Sequence, residues 1–574
     1  MPERIIIIGA VALGPKVACR MKRLNPEAEI TLSDKDTLIS YGGCGIPYYI
    51  GGDIADLEGL YSTFAHAIRD TEFFRTDKGV EVLTGVEALS INRKEKKLLV
   101  RHLSENPEEK PEYDEELEYD KLVIATGAAP VRPPFPGVDL SGVHVVSNLH
   151  HAQVIKTKIA DGKVGNAVVI GAGAIGIEMA EALTDLWGVD TTIIEMADHV
   201  LPTALGKNLS AVVLKELKEN DVNVLTSQRV VRINGDKENS VVSVETTETT
   251  IPCDMVILAA GVRPNSEIAR DAGLAIGRNS GIVVDQCMQT TDPDIYAGGD
   301  CVEVQNIING QSILMPLGSL ANRQGRIIAT NINGGHEHFK GAVGSFCIKV
   351  FGLGVAKAGL TFDQAKNAGF DPAYCVVAQS DRAHFYPDSD FMYMKLIADR
   401  KTRKILGVEA AGPQGDAVKA RVDAVAPLFQ YGATVSDICA LEVSYAPPFA
   451  SAMDIVNNAG NCLDNTIKGS HVPIDVLDFL EEFRQEKTKV LDIRSRVQAD
   501  SFVEKYGDRW INIPQDEFRK RVHEVPTDEP LCLLCGSGPR SYEIQIILAS
   551  KGITNTRNIQ GGYAMILAVH EPMD

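Results

Sequence analysis

The stretch Ala167-Val-Val-Ile-Gly-Ala-Gly-Ala-Ile-Gly-Ile-Glu-Met-Ala180 limits this chain more than any other. An apolar, β-branched run ends in Gly171-x-Gly173-x-Ile175-Gly176 and continues as a helical pattern. A second run, Thr191 to Ile194, then delivers Glu195 about 20 residues on. Gly171 allows the turn, Gly173 lets the backbone approach a pyrophosphate, and Gly176 lets the helix pack on its strand. The helix N-terminus favours phosphate charge, so the stretch reads as a dinucleotide-binding βαβ unit. A carboxylate at Glu195 accepts from a free 2′-hydroxyl and repels a 2′-phosphate, which predicts NADH rather than NADPH.

The N-terminus carries a weaker version. Ile5 to Ile8 is a buried parallel strand by pattern, Gly9 and Gly14 frame a turn into a helix through Arg23, and the strand Glu29 to Ser33 ends at Asp34. The central glycine is missing, so an ordinary strand-turn-helix fits equally well. The run resembles a signal-peptide core only superficially, because it is β-branched and stops at Gly9 with neither a cleavage site nor a membrane-length segment after it. Residues 56–118 read as a hairpin region, with strands Val80 to Leu83 and Lys97 to Arg101 and a charged loop at 105–116. The strand Leu122 to Gly127 leads into a proline-rich crossing at Pro130, Pro133, Pro134 and Pro136. Further on, Asp254 to Asn265 is a buried strand with a loop exit. Asp294-Ile-Tyr-Ala-Gly-Gly-Asp-Cys-Val302 ends in Gly299-Asp300, where Asp300 would meet ribitol hydroxyls or, alternatively, cap a turn. Two dinucleotide folds imply two nucleotide cofactors, most economically a flavin and a nicotinamide.

Chemistry is expected at Ile39-Ser-Tyr-Gly-Gly-Cys44-Gly-Ile-Pro-Tyr-Tyr49. Glycines flank one thiol, and a helix starting just after it would lower the thiol pKa through its dipole; a buried structural cysteine is the plainer reading. Across 574 residues the eleven cysteines are scattered and odd in number, and no two CxxC pairs are spaced for zinc, so neither a disulfide framework nor a metal site is expected. The formal charge of −20 is spread rather than blocked, which argues against nucleic-acid binding. A reducing, cytoplasmic setting without membrane attachment follows.

The tail restarts the pattern after Asn457-Asn-Ala-Gly-Asn461. A helix Pro473 to Phe483, a strand Lys489 to Arg494 and a strand Leu531 to Leu534 lead to Cys535-Gly-Ser-Gly-Pro-Arg540 and a helix Ser541 to Ser550. A thiol between a buried strand, a glycine-rich loop and a helix faces backbone N–H groups suited to an anion such as a persulfide. Cys532 reads as structural.

Taken together, the Gly9 turn, Ala125-Thr126-Gly127, the Gly171 motif, Gly261-Val-Arg-Pro264 and Ala297-Gly-Gly-Asp300 resemble the flavoprotein disulfide reductases with two dinucleotide folds, over about residues 1–455. The lone cysteine in Ser40-Tyr-Gly-Gly-Cys44 is similar to the coenzyme A disulfide reductase and NADH-dependent persulfide reductase group. Glutathione reductase types carry a second cysteine where Tyr49 stands. The resemblance implies an α/β fold of two Rossmann-like domains for FAD and NAD, an α+β dimer-interface domain, and a homodimer. FAD would be held by Gly9, Gly14, Asp34, Lys35, Thr126, Gly127, Gly299 and Asp300, and NADH by Gly171, Gly173, Ile175, Gly176, Glu195 and Gly261. Cys44 would be the redox cysteine, Tyr445 and Tyr386 would enter the partner's site, and Arg23 and Ser40 would contact coenzyme A. Leu13 stands where the group commonly has a glycine. Ala12 replaces the histidine of the sister NADH oxidases and peroxidases.

The tail resembles a single-domain rhodanese, implying sulfur carriage on Cys535 with Arg540, supported by Asp492, Arg494, Gly561 and Gly562; an inactive module is its rival. The expected boundaries are 1–150 and 256–335 for the FAD domain, 151–255 for NAD, 336–455 for the interface, 456–469 for a linker and 470–574 for the rhodanese-like unit. The expected activity is NADH-driven reduction of a persulfide, polysulfide or coenzyme A disulfide. The alternatives are a coenzyme A disulfide reductase with an accessory tail, an NADH oxidase, or a redox sensor and sulfur carrier.

Overall fold

A computed structural model describes residues 2–104 and 113–570; the loop expected at 105–116 falls largely outside them. The chain divides into two compact units, Met1–Met196 with Gln228–Ala342, and Ala197–Ser227 with Val343–Asp574.

The first unit is built on two parallel sheets. One is ordered Ile295–Ala297, Lys121–Ile124, Arg4–Ile8, Glu29–Asp34, Glu81–Thr84. Ile5 to Ile8 are all buried, as a central strand covered on both faces requires. Neighbours stand in register on either side of this strand, with Ile5 opposite Ile30 and Lys121. In the other sheet, strands Asp190–Ile194, Asn166–Ile170, Met255–Leu258 and Val143–Val145 lie side by side. The expected hairpin region is only partly one. Val86–Asn92, Lys97–His102 and Tyr113–Glu118 form an antiparallel meander, but Glu81–Thr84 is a parallel edge strand beside Glu29–Asp34. Its partner lies some fifty residues upstream, a pairing that local alternation does not encode.

The second unit contains an antiparallel sheet ordered Phe346–Val350, Leu353–Gly359, Ile405–Gly412, Phe391–Asp399, Pro372–Ser380, and a parallel sheet ordered Pro473–Ile474, Thr556–Ile559, Leu531–Leu534, Lys489–Asp492, Trp510–Asn512. Helices Val476–Arg484, Arg496–Tyr506, Pro539–Ser550 and Gly562–Val569 flank the parallel sheet. Residues 456–469 are not an open linker but the helix Ile455–Lys468, capped by the Asp454 carboxylate on Val456 N–H and ended by Gly469 at φ 79°. Gly460 serves contact rather than breakage here, since a Cβ on it would stand 2.9 Å from the Cys439 nitrogen. Two hydrogen bonds join the regions of the two sheets. Val376 N–H donates to Gln560 Oε1 at 2.6 Å, and Tyr374 Oη donates to Asp475 Oδ2 at 3.0 Å.

The tail core is pinned by one carboxylate. Asp492, fully buried, accepts from Arg494 N, Nε and Nη2 and from Trp510 Nε1 at 2.7–3.1 Å. Arg494 in turn lies over the rings of Tyr563 and Phe502. Asp492→Ala strands that buried guanidinium, and the expected cost is about 3–5 kcal/mol, read as a lower denaturant midpoint for the tail by tryptophan fluorescence of Trp510.

Candidate functional site

The two nucleotide turns of the first unit repeat one geometry. Gly9 (φ 109°) and Gly171 (φ 110°) adopt the left-handed backbone only glycine accepts easily. A Cβ on Gly14 would meet the Gly9 carbonyl at 1.9 Å, and one on Gly176 would meet the Gly171 carbonyl at the same distance. Each turn is tied to the acid ending the next strand: Ala10 N–H donates to Asp34 Oδ2 at 2.6 Å, and Ala172 N–H to Glu195 Oε2 at 2.7 Å. The absent central glycine of the first turn leaves this framework intact. Leu13, the other departure, is buried and fills the space beside Gly298, whose Cβ would stand 2.4 Å from Leu13 Cδ1.

Thr126 and Gly127 are fixed against the return loop: Thr126 Oγ1 donates to the Asn265 carbonyl at 2.6 Å, and Asn265 Nδ2 to the Thr126 carbonyl at 2.8 Å. Gly261 accepts from Val131 N–H at 2.9 Å. Gly299 N–H donates to Gln324 Oε1 at 2.7 Å. Burial raises the Asp300 carboxyl to about 6, and no described residue donates to it by side chain or backbone. A withdrawn carboxylate lacking a donor fits the hydroxyls of a ribityl chain, so these residues suit a flavin. Lys35 is exposed beside Asp34; Ile175 is also exposed, and a Cβ on Gly173 would meet nothing.

Cys44 is exposed, as a redox thiol should be, within the short turn Gly43–Gly45 that precedes the six-residue helix Ile46–Gly51. The expected lowering of its pKa does not occur. Partial desolvation of the sulfur and the charges of Glu178 and Asp300 push the thiol up, against which so short a helix offers little. Glu178 is the functional candidate that motif reading missed. Burial raises its carboxyl to about 7 despite a bond from Tyr48 Oη at 3.3 Å. The available signal was an acid two residues past Gly176 in the helix Ala174–Thr184, whose only other polar side chains are Glu181 and Thr184. On the N-terminal helix, Arg23 is exposed while Arg20 Nε is buried without a hydrogen-bond partner. Ser40 is buried at φ 51°, its N–H donating to the Ala10 carbonyl at 2.7 Å.

In the second unit the structure brings together the loops that carry Tyr386 and Tyr445. Ala383 N–H donates to the Pro447 carbonyl at 3.2 Å. Arg421, buried and paired with Asp454, donates to the carbonyls of Asp381 and Phe449. Tyr386 and Tyr445 are exposed, as are Phe385 and Phe449.

Cys535 is fully buried at the end of the strand Leu531–Leu534. Its sulfur accepts from Gly538 N–H at 3.0 Å and lies 3.2 Å from Ser541 Oγ. Gly562 walls the loop, since a Cβ there would stand 2.6–2.8 Å from the Cys535 carbonyl and the Ser537 and Gly538 nitrogens. Arg540 is exposed.

Family models for the pyridine nucleotide-disulphide oxidoreductases match residues 3–321, and for their dimerisation domain residues 346–456. The chain belongs to this oxidoreductase family. Among relatives of these oxidoreductases, the chain is 32% identical over 454 residues to the NAD(P)H coenzyme A polysulfide/persulfide reductase of Pyrococcus horikoshii, spanning 79% of this chain and 97% of that protein. It is similar along its whole length to the solved NAD-dependent persulfide reductase from A. fulgidus, with TM-score 0.91 and 36% identity, over 98% of this chain and 99% of the other. The reduced Bacillus anthracis CoADR-RHD gives TM-score 0.89 at 32% identity, over 99% and 98%. Both structures continue past residue 456, through the tail. Among the described residues no helix is long and apolar enough to cross a membrane, and no three ligating side chains cluster as a metal site.

Replacing Glu178 with glutamine removes a negative charge near Cys44. The pH midpoint for Cys44 alkylation by iodoacetamide is expected to fall by about 0.5–1 unit, measured on the Cys44 peptide by mass spectrometry.

Proposed function

We propose that this oxidoreductase is an FAD-dependent, NADH-driven reductase of sulfur-sulfur bonds that acts on persulfides or polysulfides, including coenzyme A persulfide, through Cys44, with sulfur carried on Cys535. The observation that carries this reading is the presence in one chain of two differently housed thiols, Cys44 exposed among glycines and Cys535 buried against an N–H and a hydroxyl. Bound FAD would relay two electrons from NADH to the oxidised Cys44 sulfur. The Cys44 thiolate takes the outer sulfur of R–S–S⁻, releasing R–S⁻ and leaving Cys44 as a persulfide. Two electrons then release HS⁻ and restore the thiolate. Glu178, whose carboxyl burial raises to about 7, supports proton exchange at this sulfur.

Several placements support the finer parts. Asp34 and Glu195 stand as ribose acceptors for FAD and NADH, and Arg23 and Ser40 as contacts for coenzyme A. The exposed tyrosines on joined loops, in a region matching a dimerisation model, support a homodimer in which Tyr445 and Tyr386 serve the partner's site. The Cys535 loop and the Asp492–Arg494 pair support a rhodanese-like tail from about residue 470. Eleven free thiols suit a reducing cytoplasm.

Anaerobic NADH oxidation is expected to be fastest with coenzyme A persulfide or polysulfide and abolished in Cys44→Ser. Faster turnover of coenzyme A disulfide, with Cys535→Ser silent, would instead make this a thiol-redox enzyme with a passenger tail. Oxygen uptake without a sulfur substrate would make it an NADH oxidase. Because the Glu195 carboxylate repels a 2′-phosphate, kcat/KM for NADH should exceed that for NADPH by at least about tenfold, and Glu195→Ala should narrow the ratio in steady-state assays.

A further inference from the structure

The Cys535 sulfur ends a buried chain of polar groups reaching into the helix Ile455–Lys468. Ser541 Oγ lies 3.2 Å from Cys535 Sγ, 3.0 Å from the Gly538 carbonyl and 2.7 Å from Asn558 Oδ1. Asn558 Nδ2 lies 3.2 Å from the same carbonyl and 3.1 Å from His471 Nε2. His471 Nδ1 lies 2.9 Å from Thr466 Oγ1, whose hydroxyl donates to the Cys462 carbonyl at 2.9 Å, and 3.7 Å from Cys462 Sγ. Ser541, Asn558 and His471 are all at most 4% exposed.

Counting hydrogens gives the chain a direction. The Gly538 carbonyl can only accept, so the amide nitrogen of Asn558 takes that side; the arrangement that pairs every group then puts the Thr466 hydrogen on the Cys462 carbonyl and a hydrogen on His471 Nδ1 facing the Thr466 oxygen. Nε2 then accepts from Asn558 Nδ2. The amide oxygen of Asn558 therefore faces Ser541 and takes the hydroxyl hydrogen across the shortest contact in the chain. Ser541 has one hydrogen and three acceptors. With Cys535 as a thiol, S–H can donate to Ser541 Oγ and every group is paired. With an anionic sulfur, Ser541 can turn to it only by leaving Asn558 Oδ1 without a donor, inside the fold, where an unpaired acceptor is costly.

We propose that Asn558, oriented by His471, is a positioning residue that acts through the Ser541 hydroxyl to hold back stabilisation of the anionic sulfur at Cys535. This rests on the sulfur-carrier reading of the tail. Gly538 N–H remains the constant donor, and the withheld hydroxyl keeps a bound sulfane sulfur easier to pass on. The ionisable groups facing the chain are Cys462 and Tyr542 at His471, with Arg540 on the loop of Cys535; the variants below leave all three in place.

The test is the pH profile of Cys535 alkylation by iodoacetamide in the full-length FAD-loaded protein, read on the Cys535 peptide, alongside the pH profile of sulfur transfer from thiosulfate to cyanide. Flavin content and melting temperature monitor folding. Asn558→Leu frees the hydroxyl, so both profiles should move to lower pH by about one unit, a tenfold gain in anion at a fixed pH below the midpoint. Ser541→Ala should move them to higher pH. The double variant should follow Ser541→Ala, because without the hydroxyl Asn558 meets the Cys535 loop only at the Gly538 carbonyl and not at the sulfur. His471→Phe, which frees the amide, should move in the direction of Asn558→Leu. If Asn558→Leu does not fold, Asn558→Asp serves in its place: a pure acceptor should move the profiles upward, and an unmoved profile overturns the proposal. Shifts of the same sign in Asn558→Leu and Ser541→Ala, or additive shifts in the double variant, also overturn it. A wild-type protein that shows the alkylation pattern but transfers no sulfur would overturn the carrier reading and leave the positioning intact.

Discussion

A strand-end carboxylate that accepts the N–H just after a left-handed glycine is the constraint on which the first unit depends, and it occurs twice, at Asp34 and at Glu195. The bond fixes the turn, the turn directs the following helix, and the helix lies close because Gly14 and Gly176 offer no Cβ. In the proposed function the same acid also receives a ribose, which would put fold and recognition on one carboxylate. The repetition also explains how Val11 can replace a central glycine: that position governs the approach of a ligand, whereas the outer glycines govern the packing of the chain on itself.

The local grammar of this unit was legible in the residues. Ile5 to Ile8, Val168 to Ile170 and Met255 to Leu258 announce buried parallel strands because both faces are apolar. Three features were not legible, each for a physical reason. Glu81–Thr84 pairs with a strand distant in sequence, and nothing in its own pattern names that partner. Asn457 to Asn461 carries residues that favour turns, yet the face it shows to the helix Val435–Cys439 is Gly460, chosen for closeness. The ionisation of Cys44 is governed by desolvation of its sulfur and then by the charges of Glu178 and Asp300, which the fold gathers from far along the chain, and together they outweigh the short local helix that the sequence around the cysteine suggested.

The two thiols occupy opposite environments. Cys44 is open to solvent, yet desolvation of its sulfur, together with the charges of Glu178 and Asp300, makes it hard to ionise. Cys535 is closed and neutral in its contacts, held by a backbone N–H and by a hydroxyl whose hydrogen is claimed elsewhere. The two thiols thus differ both in exposure and in the groups that face them.

The helix Ile455–Lys468 belongs to both halves of its unit. It packs against Pro372–Ser380, where the Cys375 thiol donates to the Ala459 carbonyl, and through Thr466 it fixes the imidazole that begins the path to Cys535. A boundary drawn from sequence families at residue 456 therefore runs through a shared part. The tail is thus built into its neighbour rather than appended to it: excision would strip Thr466 of the imidazole it holds and expose the Val376 N–H that Gln560 now covers.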